Sequence, residues 1–411
     1  MYVKSCATSD CRFTRYEDID FHKAEFAVNK LQKRITDALI NNKPQKADVI
    51  VHNLIHSFYA RALAVRKVTT NKGRKTRGVD NILWETSEER FKAIFDLSLR
   101  GYKQKPFRRV FTPKPSGGRR PIDIPTMKDR AMCVLLSLAL EPFAKLVADE
   151  HSFGFRRGKS TKDAIIRLQE VLYEGSDKFW ALKTDVESCF NKISRKWIME
   201  NIPLDKRFLS QLTEYSYFQG NKLHQSKQGI PQGTAISPVI CNLALDGLEK
   251  TITDTIEDVH FIRYADDILL VGKSMEMLMK SVNLINRFLE SRGLHLSSKK
   301  TQIIGINNGV DFLGWNISKK SDEIIIVPAQ SNIDSLYGKI ERLAEDSLTE
   351  GYWSEERIKT LTNIVKRWLN YHVHIVESSY LSKLLSDISE LLRDKYGLFI
   401  TLNQLTGLFG D

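Results

Sequence analysis

Cysteine is scarce in this chain, and none of the five (Cys6, Cys11, Cys133, Cys189, Cys241) forms a CxxC pair. Cys6 and Cys11 supply at most half a metal site, and no second Cys/His pair lies at a matching spacing. His372 and His374 alternate within a helical stretch and so point to different faces. A structural zinc is therefore not expected, and the odd cysteine count reads as reduced thiols. Long apolar runs are missing too. The longest, "AMCVLLSLAL" from Ala131 to Leu140, is closed at once by "EPF". That is well short of the roughly 20 residues a bilayer demands, so it reads as a buried helix and no membrane partner is expected. The amino terminus, "MYVKSCATSDCRF", lacks the apolar core of a secretory signal, which makes the cytoplasm the expected compartment. Internal repeats and low-complexity segments are also absent.

What the chain does have is 411 residues with 42% hydrophobic content, enough for one large core or two to three linked ones, and a net charge of +12. The charge is localised. Between Arg61 and Arg120 stand 17 Lys and Arg against 5 Asp and Glu, so this stretch accounts for the whole excess. A basic run can be no more than a solvated face. Here, however, "RKVTTNKGRKTRG" and "RGYKQKPFRRVFTPKPSGGRR" interleave the charges with Gly, Pro and aromatics, a pattern suited to a phosphate backbone.

The pattern along the chain is mixed. Residues 20 to 67 carry apolar positions at helical spacing, among them Phe26, Leu31, Ile35 and Leu39. Ser87 precedes a helix, "EERFKAIFDLSLRGY". "RRVFTPKPSGGRRPIDIP" resembles two strands joined at Gly117–Gly118. Thr126 or Asp129 is placed to cap the helix holding the apolar run. "FWALKTDVESCF" is a strand whose end carries Asp185, and Ser237–Pro238 is a good helix start. From Ser331 onward only helices are expected, with apolar stripes at Ile333, Leu336, Ile340 and Leu343, then Ile358, Leu361, Ile364 and Trp368, then Leu381, Leu384, Ile388 and Leu391. Pro328 marks the boundary. The fold class is α+β with a helical preface.

The stretch "HFIRYADDILLVG" sets two adjacent carboxylates, Asp266 and Asp267, between strand-like segments. A hairpin turn would account for one Asp, but not obviously for two without a Gly. The chemical reading is that hard divalent cations relieve the repulsion: Mg²⁺ takes oxygen ligands, and two ions about 4 Å apart stabilise attacking and leaving oxygens in phosphoryl transfer. A third carboxylate is then needed, and Asp185, followed by Val186, is the natural candidate.

In this company the chain resembles a reverse transcriptase, specifically the bacterial group II intron-like branch. The resemblance runs in order over about 300 residues, from "TNKGRKTRGVDNILW" to "VKRWLNYH". "RRPIDIPTMKDRA" is similar to the second fingers block and "EPFAKLVADEHSFGFRRGKSTKDAI" to the lineage-specific block. "KTDVESCF", "GIPQGTAISPVICNLALDGLE" and "RYADDILLVG" look like the three palm motifs, "LSSKKT" the fourth, and "FLGW" the primer grip. The resemblance implies a right-hand polymerase: a basic helical N-terminal extension over 1–86, fingers and palm over 87–328, and a three-helix thumb over 329–411. It implies an RNA-directed DNA polymerase with two Mg²⁺ ions, Mn²⁺ being able to substitute, which uses dNTP and an RNA template to make cDNA.

The site residues it implies follow motif by motif. Asp185 and Asp266 ligate metal, with Val186 a further metal-site position and Asp267 an auxiliary carboxylate. Lys300, with Lys299 beside it as an alternative, protonates the leaving pyrophosphate. Lys114 and Arg120 clamp the triphosphate, where Arg suits bidentate phosphate contact. Phe190 is a steric gate against the 2′-hydroxyl, though a core Phe after a strand looks the same. Gln232 touches the incoming nucleotide. Tyr264, Phe312, Leu313, Gly314 and Trp315 face the primer and template, with core aromatics the alternative for Phe312. The pattern of mobile intron proteins continues into a DNA-binding region and a Cys-rich nuclease, which are not seen before Asp411. That favours the free-standing, class 2 defence-associated enzymes, whose template is a structured non-coding RNA. An intron maturase and an untemplated polymerase are the alternatives.

Overall fold

The computed structural model describes residues 13–113, 118–174, 179–321 and 323–406. Lys114, Gly117, Cys6 and Cys11 lie outside the described residues. Helices α1 (Phe21–Ile40), α2 (Pro44–His56), α3 (Phe58–Thr70) and α4 (Ser87–Asp96) come first, then strands β1 (Phe107–Pro113) and β2 (Arg119–Ile124). Helices α5 (Met127–Leu146) and α6 (Thr161–Glu174) lead to β3 (Trp180–Asp185). Next come α7 (Cys189–Lys192), α8 (Arg195–Asn201), α9 (Lys206–Thr213), β4 (Ser216–Gln219), β5 (Lys222–Gln225), α10 (Ser237–Leu245) and α11 (Leu248–Thr253). The hairpin β6 (His260–Tyr264) and β7 (Asp267–Gly272) is followed by α12 (Met275–Glu290), β8 (Gln302–Gly305), β9 (Val310–Phe312), β10 (Trp315–Lys320) and β11 (Glu323–Pro328). Helices α13 (Gln330–Glu350), α14 (Glu355–His372), α15 (Ser378–Tyr396) and α16 (Leu402–Thr406) complete the described chain.

The elements divide into two compact units, one of residues 1–150, 187–248 and 286–295, the other of residues 151–186, 249–285 and 296–411. In the first unit, local chemistry sets the helix starts. The Asp20 carboxylate accepts from the backbone N–H of His22 and Lys23 at 2.9 and 3.0 Å and opens α1. Thr86, not Ser87, caps α4, reciprocated by Glu89 in a capping box. Thr126 caps α5, whose apolar run is buried as a core helix. The buried face of α1 is Ala24, Val28, Ile35 and Ala38, whereas Phe26 is 71% exposed. Helical spacing alone gives the period of a stripe; the close approach of α1 to α5, where Gln32 donates to the Leu138 carbonyl at 2.7 Å, selects the smaller side chains. The sheet of this unit has the order β2-β1-β4-β5, with β1 antiparallel to β2 and parallel to β4.

In the second unit an antiparallel sheet, β6-β7-β3-β8, places Asp185 opposite Asp267 and Tyr264 opposite Asp267. Strand β7 is buried along Ile268–Val271, as a central strand requires. A second sheet, β11-β10-β9, shares its core, where Ile262, Leu269, Phe312, Trp315 and Ile317 are packed together. The helical stripes at Leu336, Ile340, Leu361, Val365, Ile388 and Leu392 close on one another as a further core.

His372 is fully buried between aromatics, its ring 5.4 Å from Trp315 and 4.3 Å from Trp368, and neither ring nitrogen has a hydrogen-bond partner among the described residues. Burial pushes its pKa down to about 4. The folded state thus keeps the imidazole neutral, while the unfolded chain takes up a proton near pH 6.5. The contribution of this site is constant above that pH and is lost as pH falls from about 6.5 toward 4, at up to about 1.4 kcal/mol per pH unit. Thermal melts over this range should show the wild type losing stability faster than His372→Phe. Parallel curves would remove the histidine from the acid sensitivity.

Candidate active site

The second unit gathers the carboxylates. Strand β3 ends at Asp185, and the β6–β7 hairpin turns through Ala265 and Asp266, so that Asp267 is the first residue of β7. Ala265 adopts φ 57°, the left-handed conformation a two-residue hairpin demands and a Cβ disfavours by about 1 kcal/mol. Two backbone bonds tie the pieces: Val186 N–H donates to the Asp266 carbonyl at 3.1 Å, and Ser297 N–H to the Asp185 carbonyl at 2.8 Å. Val186 itself is buried.

Burial, then the charges of Asp266 and Asp185, push the Asp267 carboxyl up to about 7. Lys300 Nζ donates to Asp185 Oδ2 at 2.8 Å. Partial burial disfavours the ammonium, but the Asp185 hydrogen bond and the charges of Asp185, Asp267 and Asp266 outweigh it and raise its pKa. Lys299 makes no ion pair among the described residues, so Lys300 is the lysine that meets the carboxylates. Three carboxylates facing one ammonium leave an excess of negative charge. The donors are oxygens alone, the set that hard divalent cations take. Among the described residues no three His, Cys, Asp or Glu side chains converge on one point. The charge excess, rather than a preformed ligand shell, is what fits a cation here.

Residues that the motifs did not single out support the hairpin. The backbone of residues 151–154 runs beside β6, with Phe153 N–H donating to the Arg263 carbonyl at 2.8 Å and Arg263 N–H to the His151 carbonyl at 2.9 Å. Arg263 is fully buried and donates from Nη1 to the Ala265 carbonyl at 3.2 Å. A Cβ on Gly154 would overlap the Ala265 backbone nitrogen and stand 2.8 Å from the Tyr264 carbonyl carbon. The glycine in "HSFGF" was visible as a letter, but nothing local marks it as a contact of the turn.

Tyr264 is half-buried at the end of β6. Phe312 and Trp315 are 2% and 1% exposed, and Trp315 stacks on Tyr371 at 4.4 Å between ring centroids. Both rings, expected from the resemblance to face a primer, are packed in the core of this unit, paired across the β9–β10 hairpin. The turn between β9 and β10, Leu313 at φ 49° and Gly314 at φ 89°, is half-buried, with Leu313 packed against the same core. Tyr371 Oη donates to the Leu313 carbonyl at 2.7 Å, and Ala329 N–H to the Gly314 carbonyl at 3.0 Å.

The first unit holds a separate group. Phe190 is half-buried on α7, and its carbonyl accepts from Ile230 N–H at 2.7 Å. Gly229, at φ 74°, allows this approach; a Cβ there would meet the Phe190 and Asn191 carbonyls. Gln232 Nε2 donates to Asn191 Oδ1 at 3.2 Å, joining the two loops. Arg120 is exposed on β2, opposite Thr112.

Residues 112–317, half of the chain, match the reverse transcriptase (RNA-dependent DNA polymerase) family, and residues 16–97 match the N-terminal domain of reverse transcriptase. The chain belongs to the reverse transcriptase family, and with it to the right-hand polymerase fold. Among curated proteins it is 27% identical to protein YkfC of Escherichia coli (strain K12) over 305 residues, covering 63% of this chain and 80% of that one. It is 25% identical to the putative COX1/OXI3 intron 2 protein of Saccharomyces cerevisiae over 343 residues, covering 67% and 40%. With the group II intron-encoded protein LtrA of Lactococcus lactis it shares 28% identity over 199 residues, covering 46% and 33%. The chain thus spans well under half the length of the yeast and lactococcal relatives. No helix among the described residues is long and apolar enough to cross a membrane.

Proposed function

We propose that this protein is an RNA-directed DNA polymerase that copies a structured RNA into cDNA, acting in the bacterial cytoplasm in antiphage defence. The observation that carries the polymerase reading is the cluster of Asp185, Asp266 and Asp267 with Lys300, at strand ends and turns of a chain that belongs to the reverse transcriptase family. The defence setting rests on the likeness of the architecture, intron-like motifs with a helical end domain, to class 2 defence-associated enzymes. In this reading residues 1–86 form a basic extension, 87–328 the fingers and palm, and 329–411 the thumb.

Asp185 and Asp266 hold divalent metal beside Val186, with Asp267 as an auxiliary carboxylate. Two Mg²⁺ ions, or Mn²⁺ in their place, supply charge neutralisation for the attacking and leaving oxygens of phosphoryl transfer when bound. Lys300, whose ammonium reaches Asp185, is the group that would deliver a proton to the leaving pyrophosphate. Arg120 and Lys114 receive the triphosphate, and Gln232 and Phe190 read the nucleotide. Tyr264 and the Leu313–Gly314 turn carry the primer contacts, while Phe312 and Trp315 brace that turn from within.

Primer extension on a defined RNA with dNTP, followed by sequencing of the product, tests the reading. A faithful cDNA is expected; random or homopolymeric product would point to an untemplated polymerase instead. Phe190→Ala should raise ribonucleotide incorporation relative to deoxynucleotide by at least about tenfold. Unchanged discrimination would place the gate elsewhere. An intron maturase is the second reading, favoured by the intron-encoded relatives. Sequencing of copurifying RNA separates the two: an adjacent non-coding RNA supports defence, and an enclosing intron supports the maturase.

A further inference from the structure

A buried ion pair in the first unit lies one backbone hydrogen bond away from the loop that carries Gln232. Arg109 on β1 stands opposite Asp123 on β2 and forks onto it, Nε to Oδ1 at 2.7 Å and Nη2 to Oδ2 at 2.9 Å. The Tyr215 hydroxyl donates to Asp123 Oδ2 at 3.1 Å, and the Tyr217 ring lies 3.3 Å from the guanidinium carbon. The Asp123 side chain is 2% exposed and that of Arg109 14%. Burial opposes the charge of Arg109, but the hydrogen bond and charge of Asp123 outweigh it and raise the pKa. Burial, then the charge of Asp123, push the Tyr215 hydroxyl up to about 12. The cation is therefore permanent and the phenol stays a donor.

The backbone of the same aspartate reaches the other way. Asp123 N–H donates to the Gln232 carbonyl at 2.7 Å. The Asp123 carbonyl lies 3.0 Å from where a Cβ on Gly233 would sit, and Gly233 has φ 111°. Beyond the loop, Gln232 continues to Asn191, and Ile230 to the Phe190 carbonyl. Charge is not required to hold a strand pair: an apolar cross-strand pair stabilises a sheet as well, and a buried ion pair contributes little net stability while fixing geometry closely. A fork and a phenol on the Asp123 carboxylate, with the Tyr217 ring against the guanidinium, fix the position of β2 at a residue whose backbone bonds to the loop.

We propose that Asp123, locked by Arg109 and Tyr215, is a positioning residue for the incoming nucleotide, holding the 229–233 loop so that Gln232 meets its ligand. This rests on the polymerase reading above. Asp123→Asn and Tyr215→Phe weaken the lock, and the double variant Arg109→Met/Asp123→Leu removes it without leaving a buried charge unpaired. In primer extension, KM for dNTP should rise at least about fivefold with kcat within about twofold, the split expected when a ground-state contact loosens. Primer–template affinity should stay near wild type, and so should the melting temperature of Tyr215→Phe and of the double variant, whereas Asp123→Asn, which leaves the buried guanidinium without its partner charge, should also melt lower. Amide hydrogen exchange over residues 229–233 should accelerate about tenfold, consistent with local opening.

Unchanged KM in the double variant, or a kcat that falls there together with the melting temperature, overturns the proposal. Unchanged exchange in the folded double variant overturns the anchoring itself, and needs no turnover to read. Accelerated exchange in a protein whose wild type makes no cDNA would instead overturn the polymerase reading and leave the anchoring in place.

Discussion

Replacing Asp266 by Asn is expected to reduce cDNA synthesis by at least about a thousandfold, because charge stabilisation at a metal-assisted phosphoryl transfer is worth several kcal/mol. The same change should leave the fold intact. Asp266 and Asp185 both press the Asp267 carboxyl upward, so removing one like charge relieves repulsion instead of adding it. The expected pair of results is thus lost activity with a melting temperature within a few degrees of wild type, read by single-turnover primer extension and differential scanning calorimetry. Asp185→Asn should behave alike in rate but also release Lys300, whose ammonium bonds to its Oδ2. Undiminished synthesis by Asp266→Asn would sink the assignment of the metal ligands.

Gly154→Ala should also lower the rate, by about a hundredfold, without touching a reacting group. Its Cβ would overlap the backbone nitrogen of Ala265, and a backbone atom cannot rotate out of the way as a side chain can. The turn holding Asp266 must shift, and a displacement of about 1 Å in a catalytic group can lower rate by about a hundredfold. Overpacking of this kind also destabilises by about 1–3 kcal/mol. Gly338→Ala on α13 is the control, since its Cβ meets nothing within 4 Å; it should keep full rate and gain slightly in stability. Wild-type rates in Gly154→Ala would show that the turn has slack.

Much of the site can be read from local sequence. The end of β3 at Asp185, the hairpin around Asp266, and the Ser237–Pro238 helix start all follow from signals among near neighbours: alternation, turn residues and caps. The inward direction of Phe312 and Trp315 was less legible. Two aromatics at the ends of a two-residue turn pair across the hairpin and share a face, but which face meets the core depends on Tyr371 and His372, far along the chain. The N-terminal spacing gave the helix Phe21–Ile40 but not its buried face, and Phe26 is exposed: a helix has a period, but the neighbour it packs on decides which residues the period buries.

By itself, then, the sequence determined the kind of groups available: adjacent carboxylates with a third at a strand end, and a basic stretch whose pattern suits a phosphate backbone. Tertiary structure alone decided that Lys300 rather than Lys299 faces Asp185, and that Gly154 must stay bare beneath the turn. It also coupled Asp123 to Arg109, Tyr215 and Gln232. The difference is physical. Propensity, capping and charge pattern act over a few residues and leave their mark in adjacent letters. Close approach and buried pairing act between segments remote in the chain, and exist only once the fold has brought those segments within contact distance.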